Sequence, residues 1–246
     1  MAAVRSGVVE SIGRGESFAT AKRQLEPIAR EGFVRGDDFK ALIAEGVCDT
    51  IDHFLSDGLL DESEESRVMG FLNASDIRAR VEQAPAYRRL VQGGVLRDLS
   101  QGKISQRINV SGAIPNLQRN EVLVWAFPDT EYLEDKVRKE YVGRSQGVSI
   151  RIAKGVSYRV GGFRGRPVER QERVSLGRGT LFVTNKHMYF TGDQKTFRVP
   201  YSKIVAFEEY SDGISFTRDA ATAKPQIFRV EEGWYLCNMV GILASL

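Results

Sequence analysis

Apolar positions change their period partway along the chain. From Ser17 to about Gln106 they recur at helical spacing. Within 38–55, Phe39, Leu42, Ile43, Val47, Ile51, Phe54 and Leu55 fall on one broad stripe, and a turn is expected at Ser56-Asp57-Gly58. Asp61, with Glu64 three residues on, has the spacing of a capping box and predicts a helix start, with Val68, Phe71 and Leu72 as its apolar face. Ser75 is read as a further N-cap, and Tyr87, Leu90, Val91, Val95, Leu96 and Leu99 predict another helix. Pro27 and Pro85 are expected at breaks or first turns, because proline lacks the N–H that a helix interior needs. The pattern predicts about five short helices packed as a small bundle, assigned to residues 1–106.

Residues 107–120, RINVSGAIPNLQRN, have no period and read as a linker. Beyond them the period becomes two. Val122, Val124 and Ala126 alternate with Leu123, Trp125 and Phe127, so the first strand is expected to be buried on both faces. Short strands follow, punctuated at Gly143, Lys154-Gly155, Gly177-Arg178-Gly179, Asn185-Lys186, Gly192-Asp193 and Asp212-Gly213. That spacing predicts an antiparallel barrel or sandwich. After Val230, Trp234, Cys237, Val240 and Leu243 recur every third residue and predict a helix capping the barrel mouth. The expected fold class is α+β in two domains, a helical bundle and an antiparallel β-barrel over 121–246.

Composition adds little until charge is placed along the chain. At 246 residues, 42% hydrophobic and 27% charged, the sequence suits a globular protein, and no apolar run is long enough to span a bilayer. Met1 to Phe18 lack a continuous apolar segment, so no secretory signal is expected. Cys48 and Cys237 stand alone and read as small buried hydrophobes in a reducing, cytoplasmic compartment. The net charge is +3. Yet 147–180 hold eight Lys or Arg against Glu169 and Glu172, whereas 49–65 hold seven acids and no base. Such asymmetry suits two modules with different surfaces.

GTLFVTNKHMYFTG (179–192) and FRVPYSKIVAFEEYSDGISF (197–216), followed by an amphipathic helix, resemble bacterial pleckstrin-homology-like and GRAM-type domains. Gly179, Leu181, Val183, Thr184, Asn185 and Phe190 match the family's hairpin motif, and Pro200 to Ile204 its second half. The resemblance covers residues 115–246 and implies a seven-stranded bent barrel closed at one end by the last helix. Domains of this kind bind lipids, peptides and proteins on one scaffold. CDTIDHFLSDGLLDESEESRVMGFL resembles one helical hairpin of tellurite-resistance-type domains. Some of those carry an acidic metal site, but the loop Asp57 to Asp61 lacks the ligand ladder of a calcium loop, so no metal is expected.

Catalytic chemistry finds little purchase. No phosphate-binding loop is present, and His53 and His187 are the only imidazoles. His53 reads as an amphipathic filler on a helix, and His187 as a surface or cross-strand residue of a hairpin. Pro128-Asp129 followed by Glu134-Asp135-Lys136 imitates the order of metal-dependent nucleases. Only four residues separate Asp129 from Glu134, however, and no αβ core surrounds them, so the nuclease stays a remote alternative. No enzyme activity and no cofactor are expected.

In the stretch GVSIRIAKGVSYRVGGFRGRPVER (147–170), even positions Val148, Ile150, Ile152, Val156, Tyr158 and Val160 are apolar, and odd positions Ser149, Arg151, Ala153, Ser157 and Arg159 are small or basic. A hairpin turning at Lys154-Gly155 makes Arg151 and Arg159 diagonal neighbours across the strands. The resemblance makes Lys154, Arg164 and Arg166 available to an acidic headgroup. The candidate anion site is therefore Lys154, Arg151, Arg159, Arg164 and Arg166. The leading reading, ahead of the anion site, is that these side chains guard an edge strand and cover apolar surface with their stems. An acidic partner is a third reading. Nucleic acid is disfavoured, because the patch has neither a helix for a groove nor a row of stacking aromatics. The expected function is a non-catalytic adaptor that docks a protein partner. The alternative is peripheral association with anionic membrane at the inner face.

Overall fold

The structure, a computed structural model, describes residues 1–56, 60–110, 114–153, 156–220 and 225–246, and the side chains of those residues outside 135–173. The chain divides into two compact units, one built around the N-terminal helices and one around the sheet and the last helix.

Among the described residues the N-terminal region holds six helices, the last running past the first unit's limit at Arg97: α1 (Ala2–Gly13), α2 (Phe18–Glu31), α3 (Gly36–Phe54), α4 (Glu62–Asn73), α5 (Arg78–Glu82) and α6 (Pro85–Ser100). The count exceeds the expected five because α1 precedes the segment in which the period was read. Its Val4, Val8 and Ile12 are buried at four-residue spacing. A Cβ on Gly46 of α3 would lie 2.7 Å from Val8 Cβ and 3.0 Å from the Arg5 carbonyl, so the glycine sets how closely α1 and α3 approach. Arg5 then reaches Asp49 with two hydrogen bonds of 2.8 Å. The predicted stripe of α3 is buried, as are Val68, Phe71 and Leu72 of α4. Each such side chain contributes about 2 kcal/mol on burial.

The capping box at α4 is present: Glu64 N–H donates to Asp61 Oδ1 at 2.8 Å and Asp61 N–H to Glu64 Oε2 at 3.2 Å. Pro85 opens α6, where its missing N–H costs nothing. Two expectations are corrected. Ser75 is not an N-cap; its hydroxyl donates back to the Leu72 carbonyl at 2.8 Å and closes the end of α4. Pro27 does not break α2 but lies inside it. The carbonyl four residues before Pro27 belongs to Arg23, an exposed residue, so the lost bond falls on the solvent side of the helix. The predicted turn at Asp57-Gly58 lies outside the described residues.

The second unit holds β1 (Leu123–Ala153), β2 (Val156–Thr184), β3 (His187–Gly192), β4 (Thr196–Pro200), β5 (Ile204–Tyr210), β6 (Gly213–Arg218), β7 (Gln226–Arg229) and α7 (Gly233–Leu243). They form one antiparallel sheet in the order β4-β3-β2-β1-β7-β6-β5. The turns predicted at Asn185-Lys186, Gly192-Asp193 and Asp212-Gly213 separate strands as expected. Gly177-Arg178-Gly179 does not; it lies within β2. Gly177 has φ 110°, and a Cβ on Gly179 would come within 2.2 Å of the Thr191 carbonyl. These glycines admit a kink and a close strand rather than a reversal.

β4 and β5 sit at opposite edges of this order, yet only Tyr201–Lys203, one 3-10 turn, joins them. Four residue steps span at most about 15 Å. Six strand spacings of a flat sheet would span about 29 Å. The sheet therefore curls until one corner of its two edges meets. The expected closed barrel is not formed, because no backbone pairing joins β4 to β5 among the described residues. Pro200, the 3-10 turn and a bulge between Ile204 and Ala206 occupy the corner where such pairing would begin.

Inside the curl lies an aromatic core. Tyr132 touches Phe190, Phe197 and Phe228 at ring centroid distances of 5.4, 4.8 and 5.5 Å. Tyr235 of α7 meets Trp125 edge-on at 5.0 Å. The buried face of α7 is Tyr235, Leu236, Met239, Val240 and Leu243, whereas Trp234 and Cys237 are half-buried. The predicted three-residue stripe is thus corrected. Steps of three residues fall about 60° short of a full turn each time and drift off one face.

Candidate functional site

Three features of the sheet unit merit weighing as sites. The first surrounds Glu121, whose carboxylate has no exposed surface. It accepts from the Thr184 hydroxyl at 2.6 Å, from Tyr189 OH at 2.8 Å and from the Gln118 N–H at 2.8 Å, and shares a 2.8 Å hydrogen bond with His187 Nδ1. Burial alone would raise its pKa. The four donors outweigh that and hold it at about 2, against an ordinary 4.5. Around it, Asn185 receives the Val122 N–H at 2.8 Å, Lys186 Nζ donates to the Arg119 carbonyl at 2.9 Å, and Tyr201 OH donates to the Thr184 carbonyl at 2.6 Å. The β2–β3 turn is therefore fastened to residues 118–122. Thr184, Asn185 and His187 serve this latch, and His187, expected in a surface or cross-strand role, is buried and paired across β3–β4. All four lone-pair directions of the carboxylate are occupied, so the group has none left for a ligand.

The second feature is a hydrogen-bonded chain at the rim of the aromatic core. Tyr132 OH donates to Glu134 at 2.7 Å and accepts from Gln226, which accepts in turn from Arg218. Lys195 Nζ donates to Glu134 at 2.7 Å and lies 5.4 Å from the Tyr132 ring centre. Burial and the neighbouring Glu134 push the Tyr132 phenol well up. Glu134 is held down: burial would raise it, but Lys195 and Tyr132 prevail. Glu134 and Asp129, the carboxylates of the nuclease-like stretch, are engaged apart from each other, Asp129 with Arg178 at 2.6 Å. Lys136 lies outside the residues whose side chains are described.

The third feature is β5. Among the described residues it pairs with β6 alone, and its other side is a sheet edge. Val205 is the extra residue of the bulge, since Ile204 faces Arg218 and Ala206 faces Thr217. It is 63% exposed, and Glu208 and Glu209 are exposed beyond it. A strand edge of this kind carries backbone donors and acceptors that a further strand can use. β4, the other edge, has five residues and ends in Pro200, which offers no N–H.

Of the sequence-predicted anion site, Lys154 lies outside the described residues, and Arg151, Arg159, Arg164 and Arg166 lie where side chains are not described. Cys48 and Cys237 are free and half-buried rather than fully buried. Burial pushes the Cys237 thiol up to about 11. His53 sits in the last turn of α3 and is exposed. Among the described residues no three His, Cys, Asp or Glu side chains converge as a metal site, and no helix is long and apolar enough to cross a membrane. No protein-family model matches the chain, and no curated protein matches it.

Proposed function

We propose that the chain is a non-catalytic docking module whose sheet unit has pleckstrin-homology-like architecture and takes a protein partner along β5. The carrying observation is the open β5 edge with Val205 displayed on its bulge. The order of seven strands, meandering inward from both edges and backed by one C-terminal helix, supports the architectural part of the reading. Two free cysteines fit a reducing, cytoplasmic setting.

The edge also restricts its partner. A bulge interrupts regular pairing, and two exposed glutamates repel acidic strands. The occupant that fits is an extended segment of another protein, with Lys or Arg opposite Glu208 and Glu209 and an apolar contact for Val205. Selection of displayed random peptides on the full chain tests this. Basic, β-prone peptides are expected, protecting β5 amides from exchange and binding about tenfold more weakly to Val205→Lys. Binding indifferent to that substitution, with protection elsewhere, removes β5 from the reading. Salt-sensitive co-sedimentation with anionic vesicles, in the absence of any selected peptide, transfers the function to a membrane surface.

A further inference from the structure

The two edges of the sheet carry opposite charge. On β4, Arg198 is exposed and meets no acid among the described residues. On β5, Glu208 and Glu209 are exposed and meet no base among them. Several other charges of the sheet are matched: Lys195 with Glu134 at 2.7 Å, Arg178 with Asp129 at 2.6 Å, and Arg229 with Glu131 at 2.9 Å and Asp212 at 2.8 Å. An edge with unmatched charge and open backbone groups suits a strand of the opposite charge. β4 is such a strand, but Pro200 and the 3-10 turn keep β4 and β5 of one copy from pairing. Between two copies no short connection joins them.

Antiparallel pairing with Arg198 opposite Glu208 sets the whole register, with 196–199 running against 207–210. Val199 then lies opposite Phe207, and both belong to the core face. Val199 is buried two residues from Phe197, which packs on Tyr132 and Phe228. Phe207 pairs with Phe216, which stacks on Phe228 at 5.3 Å. Residues directly opposite share a face, so the inner and outer faces of both strands are continued together. A slip of one residue sets Val199 against Glu208 or Ala206 and exchanges the faces. Glu209 comes opposite Phe197, over whose ring the Arg218 guanidinium lies at 5.6 Å. Pro200 falls opposite Ala206 and beside Val205, so the residue without an N–H and the bulge interrupt the ladder at one end. Pro200 is also the apolar neighbour that Val205 requires.

We propose that the occupant of β5 is β4 of a second copy of this chain. The proposal rests on the reading of β5 as a docking edge and names its partner. The register is its own mirror: with β4 of one copy on β5 of the other, a two-fold axis at Lys203 lays the second β4 on the first β5. Association therefore closes at a dimer rather than growing as a filament. Lys203 meets its own mate at the axis, where both side chains are exposed and their repulsion is screened. Two short ladders make a small interface, so dimerisation is weak and concentration-dependent.

Sedimentation of the full chain over a concentration series up to about 0.5 mM, at low and high salt, tests this. A monomer–dimer equilibrium weakened by salt is expected. Arg198→Glu and Glu208→Arg should each weaken it about thirtyfold, because attraction becomes repulsion at both symmetric contacts. Mixed in equal amounts, the two variants should associate as wild type does, since every contact between them is again opposite in charge. That rescue also shows that both variants are folded. A chain monomeric at every concentration overturns the proposal. So does a dimer indifferent to either reversal, or a mixture that stays monomeric. Peptides selected on β5 should dissociate the dimer. Peptides that protect β5 amides in a chain that never dimerises remove the second copy and leave the docking edge standing. If neither peptide nor second copy protects those amides, the edge itself is lost.

Discussion

The latch at Glu121 and the edge at β5 belong to one sheet and treat polar groups in opposite ways. At the latch a carboxylate without exposed surface meets four donors, and every group that brings residues 118–122 to the β2–β3 turn finds a partner. At β5 a whole strand edge is left to solvent, guarded by a bulge and two acids. Buried polar groups must be satisfied from within, whereas exposed ones can wait for a partner. The VTNKH stretch that drives the family resemblance therefore accounts for architecture. A docking surface has to be sought where satisfaction is incomplete.

Removing the acceptor at the latch is expected to have the largest effect. Glu121→Leu removes the acceptor of the buried Tyr189 hydroxyl and the partner of His187 Nδ1, and leaves the Thr184 hydroxyl only the His187 carbonyl at 3.0 Å. Unfolding in urea should show a loss of about 4 kcal/mol, because a buried donor left unpaired costs about 1–3 kcal/mol. An unchanged midpoint would mean that the latch contributes no stability and would erase the contrast with β5.

Acid should act on the same group. The folded pKa of Glu121, about 2, lies below its ordinary 4.5. A depressed carboxylate stabilises the fold fully above the unfolded value and loses that contribution as pH falls toward the folded one. Stability should thus hold above about pH 5 and decline between about pH 5 and 2, by about 3 kcal/mol from this group. Glu121→Gln should make that decline shallower without abolishing it, since other depressed carboxylates such as Glu134 remain. Denaturation midpoints across the range would check it; equal slopes in both proteins would place the acid sensitivity elsewhere.

The sequence carried these features unequally, for reasons of distance. The Asp61–Glu64 box is legible because its partners are three residues apart. The three side-chain partners of Glu121 lie 63 to 68 residues away in sequence, and no local pattern announces them. The change of period from helical to alternating separates helices from strands correctly, but periodicity cannot say which strand ends at an edge. β5 is an edge because β4, the strand that precedes it in sequence, does not pair with it among the described residues. For the same reason the expectation of a closed barrel outran the sequence. The candidate anion site rested on alternation and charge in 147–170, which lies where side chains are not described.

The smallest effect on stability is expected at β5, and its smallness sharpens the comparison. Val205 is 63% exposed, so Val205→Lys removes little buried apolar area and adds a charge that stays in water. Lysine is also a residue that natural edge strands tolerate. The urea midpoint should therefore move by less than about 0.5 kcal/mol, the usual range for surface changes. A loss approaching that of Glu121→Leu would mean that Val205 is held within the protein's own packing. The edge would then be complete without a partner, and the distinction between latch and edge would collapse.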